Sequence, residues 1–207
     1  IIKNLWGHLD RFALELDIIS KANSTLLTSD PIPESKKKPF TDEEVQRVWD
    51  NQQVPWMDTV LILLYTGFRI SEFLTIETAN VDLQQGTIMA GVKTAAGKNR
   101  IVPIHSKIMP IIQKYYDVNN KYLITNDGKK FGIGTYRIIW EGLMQTLDVR
   151  HTPHECRHTF RSRLDSAGAN KVCIDLMMGH KSKETGERVY THKTIQELKE
   201  NIELITH

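Results

Sequence analysis

The sequence of 207 residues lacks the features that mark secreted and membrane proteins. It has only two cysteines, Cys156 and Cys173, which are too few for a disulfide framework and are typical of a reducing compartment. No apolar run approaches the roughly 20 residues that a membrane-spanning helix needs, and nothing resembles a secretory signal. We therefore expect a cytoplasmic protein with no membrane contact and with one main domain plus a small attachment, since single cores grow to roughly 250 residues.

The chain also has little net charge, and the formal value of +2 does not by itself indicate a polyanionic partner. The basic residues are unevenly distributed, however. A solvated surface is a sufficient explanation for the lysine triplet, but it explains the arginines less well. The clusters comprise Lys36, Lys37 and Lys38; then Lys93, Lys98, Arg100 and Lys107; and then Arg150, Arg157, Arg161 and Arg163.

Composition changes along the chain predict an attachment, a linker and a main domain. The first apolar residues recur at helical spacing, and the chain starts without methionine, so we expect a piece of a longer protein. The stretch "TSDPIPESKKKPF" then combines prolines, serines and lysines, which is linker chemistry. We expect a helical segment at 1–30, a linker at 31–39 and the main domain at 40–207.

Local signals predict a main domain that is mainly α with a small antiparallel β-sheet. Thr41 and Glu44 form a capping box at a helix start, and Gly67 suits the end of a second helix that begins near Pro55. Two β-leaning runs joined by a Gly- and Lys-containing turn predict the only sheet. These runs are 87–92 and 100–104, and we expect helices afterwards at 108–116, 135–147, from 152, from 170 to Gly179, and from about 194.

The decapeptide "HTPHECRHTF" at 151–160 concentrates groups that could bind metal or phosphate. A structural zinc site needs a second half with paired ligands, and the sequence has none. Cys156 falls inside a predicted amphipathic helix, which favours a buried packing role over a nucleophile. The acidic residues are scattered, which disfavours a two-metal nuclease, and we predict no metal and no cofactor.

Cationic side chains recur at the ends of the predicted elements. They are Arg69, Lys93, His154 with Arg157, and His180. Guanidinium groups match phosphate geometry, so two arginines can hold both non-bridging oxygens of one phosphodiester. Taken singly, these residues have simpler explanations: a surface ion pair explains Arg69, and a capped turn explains His180. Tyr190, which follows in the sequence, is explained by half-buried packing.

In this order the segments resemble the tyrosine recombinases, the phage-type integrases. The segments are "YTGFRISEFLTI", "VKTAAGKNRIVPI", "HECRHTFRSRL" and "MMGHKSKETGERVYTH". The match runs from about Thr41 to the C-terminus, and within the family it is most similar to integrases of conjugative transposons. The first helix is similar to the last part of the core-binding domain that precedes the catalytic domain.

The resemblance implies the roles of six residues. Arg69 corresponds to the first arginine, Lys93 to the hairpin lysine, His154 and Arg157 to the histidine-arginine pair, His180 to the second histidine and Tyr190 to the nucleophile. The interval from His180 to Tyr190 is about one residue longer than the family pattern. The implied reaction is metal-free strand cleavage through a 3′-phosphotyrosyl bond, which another 5′-hydroxyl can attack to rejoin DNA.

The resemblance also implies partners: double-stranded DNA, a tetramer on DNA, and accessory DNA-bending proteins. The helix after Tyr190 would pack on a neighbouring protomer, although packing within its own chain fits equally well. A type IB topoisomerase and a plain DNA-binding module remain alternatives. Backbone phosphate contacts are expected from Lys36, Lys37, Lys38, Lys98, Arg100, Arg137, Arg161 and Lys181.

Overall fold

A computed structural model describes residues 2–28, 38–91, 99–180 and 193–206. The chain divides into two compact units, residues 1–36 and 37–207. Among the described residues, no helix is long and apolar enough to cross a membrane.

The first unit consists of helix α1, Ile2–Glu15, and a 3₁₀ turn at Asn23–Leu26. The buried carboxylate of Asp10 accepts a hydrogen bond from the Ser24 backbone N–H and so ties the turn to the helix. Trp6 and Phe12 are among the apolar side chains that α1 exposes to solvent.

The second unit begins with two helices that the sequence predicted. Helix α2, Asp42–Asp50, starts at the capping box of Thr41 and Glu44. Helix α3, Met57–Thr66, is buried along its whole length and packs against α2 and α7, Pro153–Ser166. It begins two residues later than Pro55, because Trp56 adopts a left-handed conformation (φ 71°) that interrupts the helix.

A three-stranded antiparallel sheet follows the short helix α4, Ile70–Phe73. Its strands are β1, Val81–Asp82; β2, Thr87–Ala90; and β3, Arg100–Pro103, in the order β1-β2-β3. Ile88 pairs with Val102, and both side chains enter the core. The expected hairpin is therefore present, with strands a little shorter than the sequence predicted.

The prediction that only helices follow this sheet was wrong. After α5, Met109–Tyr115, a second hairpin pairs β4, Thr125–Asn126, with β5, Lys129–Lys130. Asp127 and Gly128 form its turn, and both have positive φ. An Asp-Gly dipeptide favours this two-residue turn, so the signal was present in the sequence and was missed.

The remaining helices of the described residues are α6, Ile133–Thr146; α7; α8, Lys171–Met178; and α9, Ile195–Ile202. The last three start at their predicted capping residues, whereas α6 has no side-chain cap and starts two residues before the predicted 135. Thr152 and Glu155 cap α7, Asn170 caps α8, and Gly179 ends α8 in a left-handed conformation. The fold class, mainly α with small antiparallel sheets, is confirmed.

Helix α9 packs within its own chain, against α8 and β3. Leu198, Ile202 and Ile205 are buried there.

The residues that follow α9 are hydrogen-bonded to the turn after β3. The Ser106 N–H and hydroxyl donate to the Glu203 carboxylate at 2.6 and 2.7 Å. His105 Nε2 donates to the Ile205 carbonyl at 2.9 Å, since its Nδ1 accepts from the Lys107 N–H. The sequence left open whether this helix packs on a neighbouring protomer or on its own chain, and in this structure it packs on its own chain, in cis.

Candidate functional site

Arg157 is a buried arginine on the second turn of α7, only 3% exposed. Its guanidinium donates to the Gly67 carbonyl at 2.7 Å and to the Met178 carbonyl, which join the ends of α3 and α8. Burial and the nearby charges of Arg69 and Arg100 lower the pKa of Arg157 to about 9, so the group stays charged at neutral pH. The side chain is therefore a fixed positive charge.

His180 lies directly after the left-handed Gly179, and its backbone N–H donates to the Asp175 carbonyl at 3.0 Å. Its Nε2 is 3.2 Å from Arg157 Nη2 and its Nδ1 is 3.3 Å from Arg161 Nη1. Burial and these arginines lower the pKa of His180, which favours the neutral imidazole at pH 7. A neutral ring has one accepting nitrogen, so it accepts from only one of the two arginines at a time.

Arg69 stands at the start of α4 and is partly exposed. Its guanidinium donates to Glu72 Oε1 at 2.8 Å, and its backbone N–H donates to Glu72 Oε2 at 3.0 Å. Burial by itself raises the pKa of Glu72, but the bonds from Arg100 and Arg69 outweigh it and bring the pKa to about 2. Glu72 is thus a buried anion that holds Arg69 in place.

The structure brings Arg69, Arg157 and His180 together from three separate segments of the chain. Arg69 acts on both other groups, since its charge contributes to the lowered pKa of Arg157 and of His180. Arg69 and Arg100 both bind the buried carboxylate of Glu72, Arg157 is influenced by its charge, and Arg161 lies beside His180. The excess positive charge suits a phosphate group.

His154 lies on the first turn of α7, one turn before Arg157, and is exposed. Its ring meets the ring of His158 edge to face, with the centroids 4.8 Å apart. Lys93 and Tyr190 lie outside the described residues.

The predicted DNA contacts fall into three groups. The side chains of Lys38, Arg137 and Arg161 lie at the surface, and that of Arg161 is 44% exposed. Lys36, Lys37, Lys98 and Lys181 lie outside the described residues. The prediction for Arg100 was wrong, because its side chain is 4% exposed and is paired with Glu72, out of reach of a DNA backbone.

Cys156 is fully buried in the core, as predicted, and burial raises the pKa of its thiol well above the ordinary value. Such a thiol is poorly suited to be a nucleophile. Within the described residues, no three His, Cys, Asp or Glu side chains are grouped so that they could hold a metal ion.

Buried hydrogen-bond acceptors that the sequence analysis missed hold the site arginines in place. Glu72 is the chief one, and its spacing of three residues from Arg69 could have indicated it, since residues three apart meet on a helix. The carbonyl groups of Gly67 and Met178, which Arg157 binds, carry no sequence signal.

A profile of the phage integrase family matches residues 38–197. The chain belongs to the phage integrase family. The curated relatives that it matches include tyrosine recombinases, and the family makes the chain an enzyme of DNA strand exchange. It is 26% identical to tyrosine recombinase XerD from Vibrio vulnificus (strain YJ016) over an alignment of 218 positions, which covers 96% of this chain and 69% of that relative. It is 27% identical to XerA from Pyrococcus horikoshii over 186 residues, covering 86% of this chain and 64% of that relative.

Solved structures of integrases have the same fold. The Tn1549 transposon integrase in complex with circular intermediate DNA superimposes with a TM-score of 0.70 at 22% identity, over 94% of this chain and 75% of that chain. The integrase from mycobacterium phage Brujita gives a TM-score of 0.68 at 18% identity, over 98% and 70%. A lambda integrase tetramer bound to a Holliday junction gives 0.69 at 14% identity, over 90% and 59%.

Proposed function

We propose that the chain is a site-specific DNA recombinase that cuts and rejoins strands of a mobile element through a 3′-phosphotyrosyl intermediate. The observation that carries this proposal is the gathering of Arg69, Arg157 and His180 in one cationic site. The structural neighbours include integrases of a transposon and of phages, which supports the mobile-element role.

The cationic site supports electrostatic catalysis of phosphoryl transfer. The pentacoordinate transition state concentrates negative charge on the equatorial oxygens of phosphorus. Arg69 and Arg157 would bind this state more strongly than the ground state, and neutral His180 would donate a further hydrogen bond. Because Arg157 is already fixed by two carbonyl groups, it needs little reorganisation when the charge develops.

Tyr190 is the proposed nucleophile. Its phenol oxygen would form a bond to phosphorus as the bond from phosphorus to the 5′-oxygen breaks. A phenol with a pKa of about 10 needs a base at neutral pH, and His154 on the exposed first turn of α7 is the candidate. Lys93 would give the 5′-oxygen its proton. A 5′-hydroxyl of another strand reverses the step, so rejoining needs no ATP.

The proposed partner is double-stranded DNA, bound by a tetramer with the help of accessory bending proteins in the cytoplasm of the host cell. We place the end of a helical core-binding domain at residues 1–30 and the catalytic domain at 40–207. Lys36, Lys37, Lys38, Lys98, Arg137, Arg161 and Lys181 are the proposed backbone contacts.

Covalent capture from a mixture of DNA sequences tests the nucleophile and selects the target sequence in one experiment. A pool of nicked duplexes with a randomised core is incubated with the protein, and protein-linked DNA is separated in a denaturing gel and sequenced. The short fragment between the cleavage site and the nick carries the free 5′-hydroxyl, and its loss traps the intermediate. We expect an enriched core sequence in the adduct and no adduct from Tyr190→Phe.

The alternatives give different results in the same assay. An adduct that persists in Tyr190→Phe rules out this nucleophile. Tight binding of the enriched duplex without any adduct identifies a DNA-binding module. Relaxation of supercoiled plasmid by a monomer, without exchange between two duplexes, identifies a topoisomerase.

A further inference from the structure

Arg100 is buried, and each nitrogen of its guanidinium group binds another group of the protein. Its Nη1 and Nη2 donate to the two oxygens of Glu72 at 3.2 and 2.8 Å, and its Nε donates to the Met177 carbonyl at 2.9 Å. The guanidinium carbon lies 5.4 Å from the centre of the Phe68 ring. One side chain thus contacts the α3–α4 connection, α4 and the end of α8.

The two oxygens of Glu72 are shared between Arg100 and Arg69. Arg100 takes both oxygens from one direction, and Arg69 takes Oε1 through its side chain and Oε2 through its backbone. Arg100 therefore fixes the plane of the carboxylate on which Arg69 rests. If Arg100 were absent, the carboxylate could rotate, and Arg69, which is 29% exposed, could move with it.

The contact with α8 links Arg100 to His180. Arg100 binds the Met177 carbonyl and Arg157 binds the Met178 carbonyl, so two buried arginines hold adjacent carbonyl groups at the end of this helix. Gly179 and His180 follow immediately. A buried ion pair is weak support for stability, because hydrophobic residues of similar volume often do as well. A buried pair that also contacts Arg69 and the end of α8 suits a positioning role better.

We propose that Arg100 is a positioning residue for strand cleavage, which orients Arg69 through the Glu72 carboxylate and His180 through the end of α8. Arg100 is also the first residue of β3 and follows Lys93 by seven positions in the sequence. This inference rests on the proposed function, since the groups that Arg100 orients are those assigned to phosphoryl transfer.

The test compares Arg100→Lys and Arg100→Met with the matched control Arg163→Met. Lysine keeps the charge but lacks the planar guanidinium group that binds both Glu72 oxygens and the Met177 carbonyl through three separate nitrogens. Arg163 also pairs with a carboxylate, Asp42 at 2.6 Å, and is 13% exposed, but the pair joins α7 to α2. With the duplex enriched by covalent capture, single-turnover adduct formation and DNA binding are measured for each variant.

We expect both Arg100 variants to form adduct on the order of 100-fold more slowly, which is the cost of misplacing a catalytic group by about 1 Å. DNA binding should change by less than about threefold, because a buried side chain gives no phosphate contact. Arg163→Met should retain its rate within about threefold. Adduct formation at the wild-type rate in Arg100→Lys would overturn the proposal, even if Arg100→Met fails to fold.

A double-mutant cycle separates positioning from simple loss of stability. Arg69→Lys already removes one of the two groups that Arg100 orients, so adding Arg100→Lys should slow the reaction by less than it does in the wild type. Multiplication of the two full effects would show that Arg100 does not act through Arg69.

A third measurement does not depend on activity. The imidazole of His180 is titrated by NMR and assigned with His180→Asn. In Arg100→Lys, we expect the pKa of His180 to rise toward its ordinary value, because the loosened end of α8 exposes the ring. An unchanged pKa would refute the link to α8. If the wild-type protein forms no adduct with any duplex of the pool, the proposed function fails, while this titration still decides whether Arg100 orients His180.

Discussion

At the scale of single residues, Gly67 is held by three constraints at once. It ends α3 with a left-handed backbone, φ 62°, and its carbonyl accepts the hydrogen bond of Arg157. A Cβ atom at this position would lie 2.5 Å from Cδ1 of Phe160. The residue that the sequence indicates as a helix end is therefore also part of the support for the cationic site.

We predict that Gly67→Ala destabilises the protein more than Gly168→Ala does. Gly168 has a similar φ of 76°, but a Cβ atom there meets no atom within 4 Å. The control should lose about 1 kcal/mol for its backbone conformation, and Gly67→Ala should lose roughly 1–3 kcal/mol more because Phe160 must move. Urea unfolding measures both, and equal losses would contradict the structure.

Glu72 gives stability a pH dependence whose sign follows from its pKa. The folded-state pKa of about 2 lies below the ordinary value of 4.5, so the stabilisation is complete above pH 4.5 and is lost as the pH falls toward 2. By linkage, the shift corresponds to on the order of 3 kcal/mol.

We therefore expect the difference in unfolding free energy between the wild type and Glu72→Gln to be largest above pH 5 and to shrink toward pH 2. Chemical denaturation at several pH values measures it. Acid sensitivity that is the same in both proteins would mean that other carboxylates carry the effect.

At the scale of elements, two residues of the last helical segment allow a test of whether α9 packs on its own chain or on a neighbouring protomer. Ile202 on α9 is fully buried against its own chain, whereas Leu204, two residues on, is 40% exposed. Burial in cis makes Ile202 part of the monomer's core.

We predict that Ile202→Ala lowers the unfolding free energy by about 2–5 kcal/mol and that Leu204→Ala lowers it by less than about 0.5 kcal/mol. Thermal or urea unfolding of dilute protein, verified as monomeric by light scattering, gives both values. If Ile202→Ala left monomer stability intact and weakened self-association instead, the helix would pack in trans in solution.

Local signals predicted these elements unequally. Each helix start with a side-chain cap was found, because a cap is a short-range hydrogen bond that the sequence encodes directly. Thr41 and Thr194 are clear instances. The hairpin of β4 and β5 was missed because strands of two residues carry no alternation, so only the Asp127-Gly128 turn indicated it.

At the scale of the whole molecule, the proposed function requires a positively charged face, although the formal net charge is only +2. Each phosphate contact releases counterions, and the affinity for DNA should therefore fall steeply with salt.

We predict that Arg161→Gln reduces the slope of log K against log salt by about 0.9, because Arg161 lies beside His180 and its pair with Asp165, at 3.5 Å, leaves the side chain 44% exposed. Arg163→Gln removes the same charge but breaks the pair with Asp42, and it should leave the slope unchanged. Binding titrations at several salt concentrations measure both. Equal slopes in all three proteins would remove Arg161 from the DNA contacts.

The sequence by itself determined the capped helix starts, the first hairpin, the burial of Cys156 and the order of cationic residues along the chain, because each depends on neighbours within a few positions. The tertiary structure alone decided which cations lie at the surface and which are buried. Arg100 and Arg157 are buried. What distinguishes them from the surface cations is the placement of their partners, which are Glu72 and the carbonyl groups of Gly67, Met177 and Met178. Those partners come from segments far apart in the chain, and a buried charge is tolerated only where such partners converge.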